Sequence, residues 1–187
     1  MGTTSTIAPP DTITYAIVTT PLGHALVAGT ARGACSVRLG DDAEALAAEL
    51  RAEFPDAHLE EDGEGLSAWT AAIGRHVAGD PAPLDLPLDL RATVFQRRVW
   101  DALRAIPYGA TRSYSDIAAT IGQPTAVRAV ARACATNPIA LAIPCHRVLR
   151  TDGSLGGYRW GVERKRELIE RERALSRAEP AETLRAP

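Results

Sequence analysis

The spacing of apolar positions changes along the chain, and the changes outline its elements. Thr12-Ile13-Thr14-Tyr15-Ala16-Ile17-Val18 alternates polar and apolar, the period of a half-buried strand. Pro21-Leu22-Gly23 turns the chain into a second strand over 24–29, and Ala31-Arg32-Gly33 turns it into a third over 34–39. Three short strands with tight turns predict an antiparallel meander. Ala45, Leu46, Leu50 and Phe54 then recur at helical spacing behind a capping Asp41-Asp42, and Pro55 stops that helix. After an acidic loop, residues 66–77 predict a second helix, with His76 as a surface or cap residue. Asp80-Pro81-Ala82-Pro83 and Pro87 read as a linker and an edge-like extended piece.

Beyond residue 90 the composition shifts and the pattern turns helical. Phe95, Val99, Leu103 and Ile106 form one stripe, with Trp100 adding to it, and Pro107-Tyr108-Gly109 ends it. Ser113-Tyr114-Ser115-Asp116 has the form of a capping box opening a short helix through Ile117 and Ile121. Gly122-Gln123-Pro124 turns the chain, and Thr125 caps a helix over 126–135. Two short helices about a Gly-containing turn predict a helix-turn-helix. The second is almost all Ala and Val apart from Arg128 and Arg132. By itself it fits a packed internal helix or a basic edge that approaches another backbone closely. Asn137-Pro138 ends it, and Ile139-Ala140-Leu141-Ala142-Ile143 leads into Pro144-Cys145-His146-Arg147-Val148. Asp152-Gly153 and Gly156-Gly157 are turns, and Gly161 leads into a final helix with Val162, Leu168 and Ile169. The expected division is a flexible leader over 1–11, an N-terminal α/β domain over 12–90, a second domain over 91–173 and a disordered tail over 174–187.

Charge changes this picture. The net of −2 hides about −10 on residues 1–90 and +8 on residues 91–187. Segregation on that scale suggests that the C-terminal half meets a polyanion. Arg164-Lys165-Arg166 with Glu163, Glu167 and Glu170 can be read as only a solvated helix face. Arg97, Arg98, Arg112, Arg128, Arg132, Arg147, Arg150 and Arg159 lie outside that helix, and they tip residues 126–135 toward DNA.

Other classes fall away. No run approaches the roughly 18 apolar residues that span a bilayer, and the N-terminus lacks the basic and apolar regions of a secretory signal. Cys35, Cys134 and Cys145 include no CxxC, which points to a reducing compartment without a disulfide framework or cysteine-based zinc motif. Cys35 and Cys134 read as packing residues. His24 and His58 show no metal-ligand spacing. In Cys145-His146 a thiol stands beside an imidazole, one way to generate a thiolate near neutral pH. On its own the pair reads first as a buried core cysteine.

An ordered set of motifs decides between these readings. Phe95-Gln96-Arg97-Arg98-Val99-Trp100, Ile106-Pro107-Tyr108-Gly109, Ser113-Tyr114, Ala126-Val127-Arg128-Ala129-Val130, Asn137-Pro138, Ile143-Pro144-Cys145-His146-Arg147-Val148 and Gly157-Tyr158-Arg159-Trp160-Gly161 appear in this order. Over residues 12–173 the chain resembles the O6-alkylguanine-DNA alkyltransferases, close to the C-terminal part of the bacterial adaptive-response regulator. The resemblance implies an α+β fold: a ribonuclease-H-like antiparallel sheet with helices, then a mostly helical DNA-binding and alkyltransferase domain. It implies direct, single-turnover repair of O6-alkylguanine, and of O4-alkylthymine, in double-stranded DNA, with the alkyl group moved to Cys145. No cofactor and no metal are implied. A cytoplasmic monomer of bacterial type is implied, without a membrane partner, with cooperativity on DNA left open. The separate phosphotriester-repair module of the regulator is not expected.

The resemblance also implies roles. Cys145 attacks, His146 is the base through a water, and Glu172 orients His146. Asn137 braces the turn, and Tyr114 donates toward guanine N3 and crowds the phosphate that rotates. The carbonyls of Cys145 and Val148 accept from the exocyclic amine, Tyr158 walls the pocket, and the amide of Arg159 meets O6. Arg128 fills the gap left by a flipped base, with Ala126, Ala129 and Ala133 in the minor groove. Trp160, where some relatives have a small residue, implies a narrower pocket. Ala140 stands where some relatives have proline. A damage-binding protein without transfer, a cysteine hydrolase and a sequence-reading transcription factor are the competing readings; turnover, base preference and the effect of Cys145→Ala separate them.

Overall fold

A computed structural model describes residues 12–178; the expected leader and residues 179–187 lie outside the described residues. Strands β1 (Thr12–Thr20), β2 (Gly23–Thr30) and β3 (Gly33–Gly40) form the meander. Pro21-Leu22 and Ala31-Arg32 close the two hairpins, with Thr20 opposite Gly23 and Thr30 opposite Gly33. The sheet is nevertheless mixed. Within the segment expected to be an acidic loop, β4 (His58–Glu61) pairs parallel to β1, giving the order β3-β2-β1-β4. As an exposed edge strand, β4 needs backbone partners but no apolar face, so His58-Leu59-Glu60-Glu61 shows no alternation.

Alternate side chains of the sheet meet different layers. Leu26, Ala28 and Cys35 pack with Leu46, Ala47 and Leu50 of α1 (Ala43–Glu53), whose first turn Asp42 caps at Ala45 N. Ala25, Val27 and Val37 pack with Ile73 and Val77 of α2 (Ser67–Ala78). That second cluster runs on without a break into residues beyond 90: Val99, Trp100 and Leu103 of α3 (Val94–Arg104), Ile117 of α4 (Tyr114–Thr120), and Val130 and Ala133 of α5 (Val127–Ala135). His76, expected at the surface, is buried within it, its ring edge-on to Tyr108 at 5.8 Å.

The starts of α1, α3 and α4 follow the capping rules, whereas α2, with Leu66 at its cap position, and α5 have no side-chain cap. Thr93 with Gln96, and Ser113 with Asp116, form reciprocal capping boxes on α3 and α4. Thr125 does not cap α5; the cap position is Ala126, and no side chain bonds there. The last helix, α6 (Val162–Ala178), continues five residues past 173, so residues 174–178 of the expected tail are helical.

The edge of the sheet carries the chain to the site. β3 is an edge strand, and two segments cover it. Ala34 N donates to Pro87 O at 2.7 Å and Asp89 N to Ala34 O at 2.9 Å. Val37 N donates to Pro138 O and Ala140 N to Val37 O, both at 2.9 Å. The apolar run 139–143 is therefore not a strand. It bridges once to Val37 and then turns through Leu141 at φ 69°, between Pro138 and Pro144. Its side chains are buried all round because it threads between the sheet edge and the helices.

Candidate active site

Pro144 ends the buried run, and Cys145 opens a 3₁₀ turn (Cys145–Arg147) instead of extending a strand. The turn leads into β6 (Val148–Leu149), which pairs parallel with β5 (Arg112–Ser113). That pairing sets Tyr114, the first residue of α4, beside the turn. Three elements thus converge: the turn, the start of α4, and α6.

Asn137, wholly buried, braces the segment from inside. Its Nδ2 donates to Ile143 O at 2.8 Å and to Cys145 Sγ at 3.2 Å, and its Oδ1 accepts from Ile139 N at 2.9 Å. Cys145 is only 4% exposed, and burial pushes its thiol up to about 11 against the pull of the Asn137 hydrogen bond. It is therefore a thiol at neutral pH, and its proton must leave as it reacts.

His146 is fully buried, with Nε2 2.8 Å from Glu172 Oε1. A carboxylate only accepts, so Nε2 carries the proton and Nδ1 holds the lone pair. Nδ1 has no partner among the described residues. Burial pushes the His146 pKa down, opposed by Glu172, so the neutral imidazole is the resting form. Glu172 of α6 accepts four hydrogen bonds. Oε1 takes His146 Nε2 and Arg147 Nη2 at 3.0 Å; Oε2 takes Arg147 Nε at 2.8 Å and Gly109 N at 3.1 Å. Burial works to raise its pKa, but these donors and the Arg147 charge outweigh it and hold the carboxyl at about 2.

Tyr114 is half-buried, and burial pushes its hydroxyl up to about 12, so it is a donor at neutral pH. Its Oη is 3.2 Å from where a Cβ on Gly156 would stand; Gly156 has φ +65°. Tyr158 stands edge-on to both His146 (6.4 Å) and Trp160 (5.1 Å), its hydroxyl buried without a hydrogen-bond partner among the described residues. Arg159 bonds Glu53 at 3.1 Å with its guanidinium 6.0 Å from the Trp160 ring. On α5, Arg128, Ala129 and Arg132 are exposed and Ala126 is half-buried, but Ala133 faces inward and accepts from Trp100 Nε1 at 2.9 Å. Ala133 therefore leaves the set of small residues expected at the groove.

The structure thus brings Cys145, His146, Glu172, Asn137, Tyr114, Val148 and Tyr158 together, and sets Arg128 and Ala129 on a separate exposed helix face. Two residues are not where the charge pattern put them. Arg147 is buried on Glu172 and on Ile106 O at 2.8 Å, so it is withdrawn from any polyanion. Lys165 is not on a solvated face but wholly buried. In the sequence both stand among other basic residues, and nothing but their position in the fold marks them. Two cavities, of about 390 and 570 Å³, lie elsewhere, and neither is lined by Cys145.

Residues 94–174 match the family model described as 6-O-methylguanine DNA methyltransferase, DNA binding domain. The chain is 48% identical over 160 residues to the bifunctional transcriptional activator/DNA repair enzyme Ada of Escherichia coli, covering 86% of this chain and 45% of that one. It therefore spans less than half of that relative's length. It is 40% identical to the methylated-DNA–protein-cysteine methyltransferase of Mycobacterium bovis, covering 89% of this chain and 96% of that one. The fold matches the crystal structure of Mycobacterium tuberculosis OGT in complex with DNA at a TM-score of 0.74 and 39% identity, over 87% of this chain and 94% of that one. The chain belongs to the 6-O-methylguanine DNA methyltransferase family. Among the described residues, a mixed four-stranded sheet with six α-helices makes the α+β architecture that matches that structure. Among the described residues no helix is long and apolar enough to cross a membrane.

Proposed function

We propose that this chain repairs duplex DNA by moving the alkyl group of O6-alkylguanine, and of O4-alkylthymine, irreversibly to Cys145. The observation that carries the reading is the buried array Asn137–Cys145 and His146–Glu172, with the Nδ1 lone pair of His146 unused. In the step, Cys145 Sγ bonds the alkyl carbon as the carbon–O6 bond breaks. The electron pair goes to the purine, the thiol proton leaves toward His146 Nδ1 through a water, and the purine gains a proton at N3 from Tyr114. Glu172 stays ionised and stabilises the imidazolium. A buried thiol that loses its proton only against a bound base is spared from indiscriminate alkylation.

Helices α4 and α5 act as a helix-turn-helix within a DNA-binding unit over 91–173, packed against a ribonuclease-H-like unit over 12–90. The exposed face of α5 enters the minor groove, Ala126 and Ala129 allow close approach, and Arg128 fills the gap left by the extruded base. The carbonyls of Cys145 and Val148 and the amide of Arg159 read the guanine edge, with Tyr158 as a wall and Trp160 narrowing the pocket behind it. No cofactor takes part. The chain acts as a cytoplasmic monomer.

Cys145→Ala tests the reading. Transfer from a duplex containing O6-methylguanine should vanish while the affinity for that duplex stays within about threefold, since binding rests on phosphate contacts. Residual transfer, or loss of binding together with transfer, would count against Cys145 as the acceptor.

A further inference from the structure

Two arginines tie the segment Tyr158-Arg159-Trp160 to residues far earlier in the chain. Arg159 Nη2 donates to Glu53 Oε2 at 3.1 Å, across 106 residues of sequence. The same oxygen accepts from Arg38 Nη2. Arg38 is buried on β3, where its Nε donates to Ser36 Oγ at 3.0 Å and its Nη1 to Glu49 at 3.2 Å. The end of α1 is thereby anchored on the sheet and offers a held carboxylate to Arg159. Arg164, in the first turn of α6, makes the second tie. Its Nη1 donates to Trp160 O at 2.9 Å, its Nε to Leu22 O at 3.0 Å, and its Nη2 to Asp41. Leu22 lies in the turn between β1 and β2, and Asp41 directly follows β3. Asp41 is exposed, so that ion pair adds little. The weight of the tie falls on the two backbone carbonyls, which the rigid fork of one guanidinium holds in a single geometry. Trp160 itself is buried, edge-on to Tyr158 and 6.0 Å from the Arg159 guanidinium.

We propose that Glu53 and Arg164 are positioning residues that strap the pocket wall onto the sheet and α1, and that this strap, by fixing Trp160, sets the size of alkyl group the site accepts. Neither side chain touches the reacting atoms. Tyr158 and Trp160 belong to one short segment, so a wall tied at Arg159 and at the Trp160 carbonyl cannot swing outward to admit a bulky group. A methyl group needs no such movement. With the strap released, the same wall gives way and size discrimination falls. The size limit rests on the functional reading above; the strap itself does not.

Three variants test the strap. Arg164→Met removes the bonds to Trp160 O and Leu22 O, and Glu53→Ala removes the acceptor of Arg159. Glu49→Ala takes a partner from Arg38 but leaves both ties. The first readout is amide hydrogen exchange of the peptide over residues 156–161 in the protein without DNA. Exchange should quicken by about tenfold in Arg164→Met and Glu53→Ala and stay unchanged in Glu49→Ala. The second readout is single-turnover transfer in a mixture of duplexes carrying O6-methylguanine or O6-benzylguanine. The benzyl-to-methyl rate ratio should rise by about tenfold in Arg164→Met and by less in Glu53→Ala, and Arg164→Lys should bring it back toward the unaltered value. Two rates that fall together at an unchanged ratio would leave both residues purely structural and overturn the size limit. Unchanged exchange in both variants, or equal quickening in Glu49→Ala, would overturn the strap. Should Arg164→Met fail to fold, Glu53→Ala decides both points, since the Glu53 side chain is 33% exposed and Arg38 keeps Glu49 and Ser36. Absence of transfer by the unaltered protein would refute the functional reading while leaving the exchange result to judge the strap.

Discussion

Glu172 concentrates more of the site's energetics than any other side chain, because four donors from three residues converge on one buried carboxylate. Glu172→Gln removes the charge that balances buried Arg147. Leaving one member of a buried pair uncompensated costs about 3–5 kcal/mol, so the variant should melt well below the unaltered protein. Its single-turnover rate should also fall, by about 100-fold or more, since His146 loses the partner that sets its tautomer and stabilises its cation. A variant with unchanged melting and rate would show that the convergence is ornamental. Gly109 supports the same carboxylate through its N–H. Its φ is +75°, and an added Cβ would stand 2.1 Å from Ser176 Oγ and 3.0 Å from Glu172 O. Gly109→Ala should therefore cost about 2 kcal/mol or more in urea unfolding, combining left-handed strain with a clash against α6. At this scale the motif residues were legible in the sequence. Arg147 and Lys165 were not, since a basic residue among basic residues gives no sign of which one the fold buries.

Among the elements, the proposed reading has α5 act through its exposed face and α4 through its start. Arg128→Ala should slow transfer from duplex DNA by about tenfold or more while leaving transfer from a free O6-alkylguanine base unchanged, because only the duplex demands extrusion. Equal loss on both substrates would remove Arg128 from that role. Helices α1 to α5 followed from helical spacing because each buries one face, and the meander from its tight turns, since β2 and β3 are buried on both faces. β4 escaped because an edge strand with exposed side chains is specified by its backbone partner, β1. The segment 139–143 read only as an apolar run because burial on all sides looks the same in sequence whether a segment is paired in a sheet or threaded between layers. Thr125 had the chemistry of a cap without the geometry: the helix begins two residues later, with Ala126 in the cap position.

For the whole molecule, acid should act through the buried array. The Glu172 carboxyl lies at about 2 against an ordinary 4.5, a depressed value. Its stabilisation is complete above pH 4.5 and is lost as pH falls toward 2. His146 is also depressed, from 6.5, so charging it opposes folding once pH drops below 6.5. Cys145 is raised from 9.0 to about 11, so its contribution is present below pH 9 and is lost as pH rises through 11. Thermal melting should thus be highest between about pH 7 and 9, and a maximum near pH 4 would contradict these assignments. The charge segregation, −10 against +8, belongs to this scale as well. Affinity for undamaged duplex should fall steeply and linearly in log–log form with salt, whereas Cys145 alkylation by a small neutral electrophile should not.

The central claim is irreversible transfer to one cysteine, and intact-protein mass after mixing with an oligonucleotide duplex carrying a single O6-methylguanine reads it directly. A single gain of about 14 Da, located to the peptide containing Cys145 and saturating at one group per chain, is the predicted result. An unchanged mass with the duplex still bound, or repeated turnover without a modified protein, would contradict it.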